Sequence, residues 1–314
     1  MKKNLEHNFL VMKEKTKDQT VGTTLSAYWK LMKPELTGLS VFTSVVSAYL
    51  AISDGIFSLN YTFFLLLGLG TFLVGGGAGV LNQYIEQELD AMMKRTERRP
   101  LPSGKIFSLH ALIFGVAISL GGIALLTFGI NFLTGFLSAL TLATYLFLYT
   151  PLKRLTSAST IVGAIPGALP VLIGWSAARN EITLSSLTIF AIVFYWQMPH
   201  FYALAWMYKS DYAAAQYKIL SVVDTTGKLL GKQVLIHSII LLCVSILPAI
   251  VGIVSVWYLI GVLGVGIFFI RTVMLFYHSL QQPENVSQLY ARKLFYASLY
   301  YIPIIFILMI ITKL

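Results

Sequence analysis

The chain has 314 residues, 57% hydrophobic and only 11% charged, with a mean hydropathy of +0.76. That composition excludes an ordinary water-soluble domain and a disordered chain, and points to a polytopic membrane protein. The net charge is +10, but the basic residues are spread over several short segments rather than gathered on one face, which argues against a nucleic-acid binder.

In chain order, residues 1–27 read as a polar, lysine-rich cytoplasmic tail lying on anionic lipid headgroups, and 28–314 as a single transmembrane domain. No cleavable signal is expected, because the first apolar run is too long for an h-region. Stretches of about 18 or more apolar residues, enough to cross roughly 30 Å of hydrocarbon, predict nine spans: 36–53, 61–81, 108–127, 131–150, 157–176, 184–206, 232–251, 255–273 and 294–312. In that register all of the 23 Lys+Arg except Arg179 and Lys313 fall on one side. The positive-inside rule makes that side cytoplasmic, with the N-terminus inside, the C-terminus outside and the cell membrane as location. The single cysteine, Cys243, falls mid-span; it excludes intrachain disulfides and reads as a buried, inert thiol.

The longest inside segments, 82–107 and 207–231, follow the second and sixth spans and suggest a weak internal duplication with a site between the halves. Gly75, Gly76, Gly77 and Gly79, and Gly163, Gly167 and Gly174 beside Pro166 and Pro170, suit close helix packing. They equally suit helices broken around a cavity.

At the end of the second span, Asn82, Glu86 and Asp90 stand four apart. At about 100° per residue they drift by only about 40° each and line one helical stripe. Two carboxylates and an amide on a stripe suit a hard divalent cation that keeps some waters and shares a phosphate. Lys94, Arg95, Arg98 and Arg99 follow at once and supply charge and fork geometry for phosphate oxygens. An ordinary helix end with Lys94 paired to Glu86 or Asp90 is the bland alternative; the ordered run of so many specific residue types favours the functional reading. A lone histidine inside a span, such as His200, is more often a packing residue than a ligand, and His110, His237 and His278 carry the same expectation.

The run Asn82-x3-Glu86-x2-Leu89-Asp90-x2-Met93-x-Arg95-Thr96-x2-Arg99-x4-Gly104 resembles the first aspartate-rich motif of the UbiA-type intramembrane prenyltransferases, with Glu86 in place of the commoner Asp. Two further stretches, 149–175 (Tyr149, Thr150, Lys153, Arg154, Gly163, Pro166, Gly167, Pro170, Gly174, Trp175) and 196–212 (Trp-Gln-Met-Pro-His-Phe, then Lys-Ser-Asp-Tyr), resemble the haem-farnesylating branch of that family. In that branch's manner, Asp211 is followed four places on by Ala215 rather than a second acid. The resemblance runs from about residue 30 to the C-terminus.

It implies an all-α polytopic membrane protein of about nine helices bundled around a central cavity. It implies Mg²⁺ at Asn82, Glu86, Asp90 and Asp211, which are also the catalytic set. It places Lys94, Arg95, Arg98, Arg99, Lys153, Arg154, Lys209 and Tyr212 on a diphosphate, and His200 and Trp196 on an acceptor. The implied substrates are farnesyl diphosphate and haem B, drawn from membrane lipid, with haem O as product and a haem A synthase or terminal-oxidase assembly as recipient. Another aromatic or quinone-precursor acceptor, or a non-catalytic haem or lipid carrier, are the alternatives.

Overall fold

The computed structural model describes residues 21–52 and 61–314; residues 1–20 of the expected 1–27 tail lie outside them, and 21–27 belong to the first helix. Helices α1 (Val21–Leu31), α2 (Pro34–Ala51), α3 (Tyr61–Ile85), α4 (Gln87–Ala91), α5 (Ser108–Gly129) and α6 (Phe132–Ala143) come first. After a π-helical turn at Thr144–Tyr149 follow α7 (Thr150–Leu155), α8 (Ser159–Arg179), α9 (Leu184–Met207), α10 (Lys209–Ala214) and α11 (Leu220–Val223). The chain ends with α12 (Lys228–Ile250), α13 (Tyr258–Ser279) and α14 (Glu284–Ile311). An isolated antiparallel bridge, Val254 to Lys313, is the only β pairing among the described residues.

Among the described residues, eight helical segments are long and apolar enough to cross a membrane: α3, α5, the run Phe132–Leu155, α8, α9, α12, α13 and α14. They coincide with the second to ninth expected spans. The first, 36–53, forms α2, an 18-residue helix whose inward face carries Thr37, Thr43, Ser44 and Ser47. Those hydroxyls have partners: Thr37 Oγ1 donates to Met32 O at 2.7 Å and Ser47 Oγ to Val171 O at 2.7 Å. This helix packs between α3 and α8.

From α2 the neighbours run α3, α5, α6, α8 and α9, and α9 then meets α12 and α14, which sandwich α13. Contacts of α14 with α2 close the circuit. The larger core lies among α2, α8, α9, α12, α13 and α14, with Trp196, Tyr202, Tyr258, Phe276, Tyr301 and Phe306 buried in it. Glycine lets the helices approach. A Cβ at Gly174 would collide with the Ser44 carbonyl of α2, and one at Gly77 with Ser119 on α5. Close packing is thus the role these positions play.

The π turn has a covalent cause. Pro151 lacks an N–H and cannot continue the α ladder, so the helix widens ahead of it. The widening aims Thr150 and Lys153 toward the end of α3, as described below. Cys243 corrects an expectation: it is exposed on the outer surface of α12 rather than buried, because Leu241 and Ser245 occupy the inward positions.

Candidate active site

The stripe at the end of α3 survives a break in the helix. Glu86 leaves α geometry (φ −100°, ψ 11°), yet the Glu86 N–H bonds Asn82 O at 3.0 Å and the Asp90 N–H bonds Glu86 O at 2.8 Å. Helical spacing therefore carries through, and Asn82, Glu86 and Asp90 are 2%, 5% and 1% exposed. Carboxylates so deeply buried need charged partners, and each has one.

On Glu86, Oε1 forms an ion pair with Lys153 of α7 and accepts from the Tyr217 hydroxyl at 2.9 Å. Its Oε2 accepts from Asn82 Nδ2 at 2.8 Å. The same amide nitrogen lies 3.2 Å from Thr150 Oγ1. Burial pushes the Glu86 carboxyl up, but Lys153, then Lys33 and the Tyr217 hydroxyl, outweigh it and hold the group below the usual carboxylate range. Burial and the Glu86 charge push the Tyr217 phenol up, so it remains a donor. Lys153 also sits over the rings of Tyr149 and Tyr217, 5.0 and 5.4 Å from their centroids.

Asp90 is gripped by Arg99, whose Nη1 reaches Oδ1 at 2.8 Å and Oδ2 at 2.7 Å. Thr96 Oγ1 donates to the Asp90 carbonyl at 2.8 Å and folds the loop back onto α4. The bland helix-end pairing is not what forms: Lys94 is exposed and neither acid bonds it.

Lys33, which no motif marks, completes the cluster. It stands at the α1–α2 corner in left-handed geometry, φ 50° and ψ 60°, and its Nζ donates to Asn82 Oδ1 at 2.8 Å. Burial, then Arg99 and Lys153, push its ammonium down to about 7, against the pull of Glu86 and Asp90.

The second polar loop closes over the first. Asp211 Oδ2 accepts from the Arg95 backbone N–H at 3.2 Å, and Arg95 Nη2 donates to the Tyr212 hydroxyl at 3.1 Å. The guanidinium also lies 4.9 Å from the Tyr208 ring centroid. Asp211, expected to share the metal with the other acids, bonds the backbone of the first polar loop five residues beyond Asp90, the chain having broken at Tyr208 before α10. Arg98 is exposed with only a loose 3.8 Å contact to Glu97, Arg154 is exposed, and Lys209 lies over Trp206 at 4.8 Å.

The expected acceptor residues sit in a separate packing environment between α9 and α14. The His200 ring is stacked between Trp196 (5.1 Å) and Phe295 (4.7 Å). Ser298 Oγ donates its proton to Phe295 O at 2.6 Å, so in the 2.8 Å contact with His200 it accepts from Nδ1–H and leaves the Nε2 lone pair without a partner among the described residues. Trp196 Nε1 donates to Ser298 O at 2.7 Å. His237 donates from Nδ1 to Gln233 O at 2.7 Å, a packing role. His110 lines an apolar cavity of about 980 Å³ between α1 and α5, with Trp29, Met32 and Phe114 and none of the carboxylates.

The donor set suits a hard cation. Asn82, Glu86 and Asp90 offer only oxygens toward a metal, and among the described residues no group of three or more His, Cys, Asp or Glu is gathered. Two carboxylates and an amide fit Mg²⁺ that takes its remaining ligands from water and phosphate. Sequence reasoning missed Lys33, Thr150 and Tyr217 as neighbours of this set.

Comparison with known proteins bears on this arrangement. A protein named protoheme IX farnesyltransferase from Solibacter usitatus is 40% identical over 292 residues, covering 91% of this chain and 98% of its own. A structure from work on digeranylgeranylglyceryl phosphate synthase in membranes superposes with a TM-score of 0.74 at 18% identity, covering 92% of this chain and 98% of that one. A UbiA homolog from Archaeoglobus fulgidus bound to GPP and Mg²⁺ superposes at 0.61 and 13% identity, covering 90% and 99%. The UbiA prenyltransferase family matches residues 40–299, and with these relatives the chain belongs to that family as a multi-pass membrane protein.

Proposed function

We propose that this protein is a haem farnesyltransferase of the cell membrane. It transfers the farnesyl group of farnesyl diphosphate to a vinyl group of haem B, with addition of water, to give haem O and diphosphate. The observation that carries the reading is the buried set of two carboxylates matched to Lys153 and Arg99, in a chain 40% identical to a protein named for that activity. Residues 28–314 form the catalytic domain, with the N-terminus cytoplasmic and the C-terminus outside.

Asn82, Glu86 and Asp90 are the residues that would hold Mg²⁺. When bound, the ion neutralises charge on the departing diphosphate. Lys153 and Arg99 move from carboxylate to phosphate oxygens as that charge develops, with Arg95 and Tyr212 bridging the two loops above them. The allylic C–O bond breaks and its electron pair leaves on the diphosphate. The vinyl π electrons then form the new C–C bond to farnesyl, and water adds to the resulting cation and loses a proton. Water must be excluded until that C–C bond forms, which the apolar surroundings provide. His200, with its free Nε2, and Trp196 are assigned to the haem side.

The test is mass analysis of haem extracted from membranes containing the protein after incubation with haem B, farnesyl diphosphate and Mg²⁺. A haem carrying one added farnesyl and one added water, formed only with Mg²⁺, is expected. Unmodified haem with prenylation of a quinone precursor overturns the acceptor. Unmodified haem and no diphosphate release with any acceptor leaves only a carrier.

A further inference from the structure

We propose that Lys33 is a third protein cation of the diphosphate site, parked on Asn82 until a phosphate oxygen takes its place. The inference rests on the donor-site reading above and adds to it a residue outside both polar loops.

Three observations carry it. The first is the company Lys33 keeps. Its ammonium reaches into the cluster from the α1–α2 corner and touches only the neutral oxygen of Asn82, at 2.8 Å. Among the described residues it makes no ion pair, whereas Lys153 and Arg99 each hold a carboxylate. An ammonium has three protons to donate, so Lys33 brings donor capacity beyond its one bond to Asn82.

The second is charge balance. When Lys33 is protonated, it, Lys153 and Arg99 face Glu86 and Asp90 and leave one positive charge in excess in a buried setting. A fully ionised diphosphate ester paired with one divalent cation keeps one negative charge and cancels it. Without Lys33 the cluster is already neutral and offers such an anion no net attraction.

The third is backbone geometry. Lys33 adopts φ 50°, a region that a lysine rarely occupies, immediately before Pro34. Non-glycine residues held there concentrate at ligand sites, where the surrounding structure enforces them. Here the Leu36 and Thr37 N–H groups bond Lys33 O at 3.0 Å each and start α2, so the corner that begins the helix also aims the side chain.

The experiment measures binding of inorganic diphosphate with Mg²⁺ to the purified full chain by titration calorimetry. Wild type is compared with Lys33→Met, Lys33→Arg and Lys33→Asn, with thermal unfolding recorded for each. Asparagine tolerates left-handed geometry, so Lys33→Asn removes the charge while relaxing the backbone. Wild type binds diphosphate; Lys33→Met and Lys33→Asn bind about 10- to 100-fold more weakly, as expected for loss of a charge-assisted contact. Lys33→Arg stays within a few-fold, and Lys33→Asn unfolds no earlier than wild type. Equal affinity in wild type and Lys33→Asn overturns the role of Lys33 and leaves the donor site standing. Absence of diphosphate binding in wild type overturns the donor-site reading itself, and Lys33 with it.

Discussion

The ends of α3 and α9 occupy corresponding places in the two halves of the chain, yet they are built for different work. The end of α3 buries its polar groups: Asn82, Glu86 and Asp90 are shielded from solvent and matched to cations arriving from three separate segments. The end of α9 spends its polar groups on the other loop: Asp211, half-exposed, accepts from the Arg95 backbone, and Tyr217, buried, donates to Glu86. One end holds charge for chemistry and the other clamps it. A repeated scaffold need not repeat the site, because what a carboxylate does is set by its burial and partners rather than by its position along a span.

The strongest way to break that contrast is to neutralise the first end. Glu86→Gln and Asp90→Asn keep size and retain an oxygen to accept from Tyr217 or Arg99 but lose the charge that a divalent cation needs. Prenyl transfer is expected to fall about 10²- to 10³-fold in each, with haem retained and an earlier thermal transition because Lys153 or Arg99 loses its buried partner. Initial rates measured beside the haem absorbance of the purified variants check this. Rates within about threefold of wild type in both would refute the assignment of charge chemistry to α3.

A sharper cut separates clamp from metal ligand at Asp211. Its bond to the Arg95 N–H is a single charge-assisted contact at a half-exposed position, so Asp211→Ala should loosen the loop by about 1–2 kcal/mol. The expected result is a KM for the prenyl diphosphate raised roughly 3- to 10-fold with kcat little changed. A fall in kcat like that of the α3 variants would return Asp211 to the metal set and make the two ends alike.

The clamp extends to the far end of the bundle. Lys313 is one of the two basic residues on the side opposite the other 21 of the 23 by the expected register, and the structure gives it a use. Its Nζ donates to Tyr49 O at 2.6 Å and Ile52 O at 2.5 Å, capping the carbonyls that α2 leaves open. Burial pushes its ammonium down. Lys313→Met should destabilise by about 1 kcal/mol, seen as an earlier thermal unfolding transition with diphosphate affinity intact. Loss of diphosphate affinity in this variant would show that α2 transmits the state of one end to the other.

The sequence was most legible where the signal is periodic and least legible where partners are distant. Four-residue spacing announced the α3 stripe, and the break at Glu86 did not disturb it because the backbone bonds at 82–86 and 86–90 persist. Apolar length located eight spans, while α2 read as an ordinary span although its inward face is hydroxyl-lined. Which cation serves which acid was not legible from spacing: Tyr217 meets Glu86 across 131 residues, and nothing local to Lys153 selects Glu86. Lys33 was counted only as a topology charge, since a lysine before a proline carries no mark of the corner that aims it inward. The partner of Asp211 was illegible for the opposite reason. Its place in a family-like run was clear, but the backbone break at Tyr208 that turns it toward Arg95 leaves no pattern in residue type.

The smallest expected effect concerns how the clamping loop is itself anchored. Asp224 closes it onto α12: Oδ2 accepts from Leu230 N–H at 2.8 Å, and Oδ1 from Thr226 N–H at 3.2 Å and Thr226 Oγ1 at 2.9 Å. Burial pushes this carboxyl up, but the hydrogen bonds from Leu230 and Thr226 outweigh it and the group titrates below its ordinary value. A depressed carboxyl contributes stability that is fully present above the unfolded value of about 3.9 and is lost as pH falls through the folded value. Between about pH 5 and pH 3, wild type should therefore lose slightly more thermal stability than Asp224→Asn, which cannot titrate. The difference is on the order of 0.5 kcal/mol, since the site is largely open to solvent. Parallel losses in the two proteins would mean that the loop is held by its apolar contacts, Ile219 and Leu220 being buried beneath it, and that its clamp needs no charge at all.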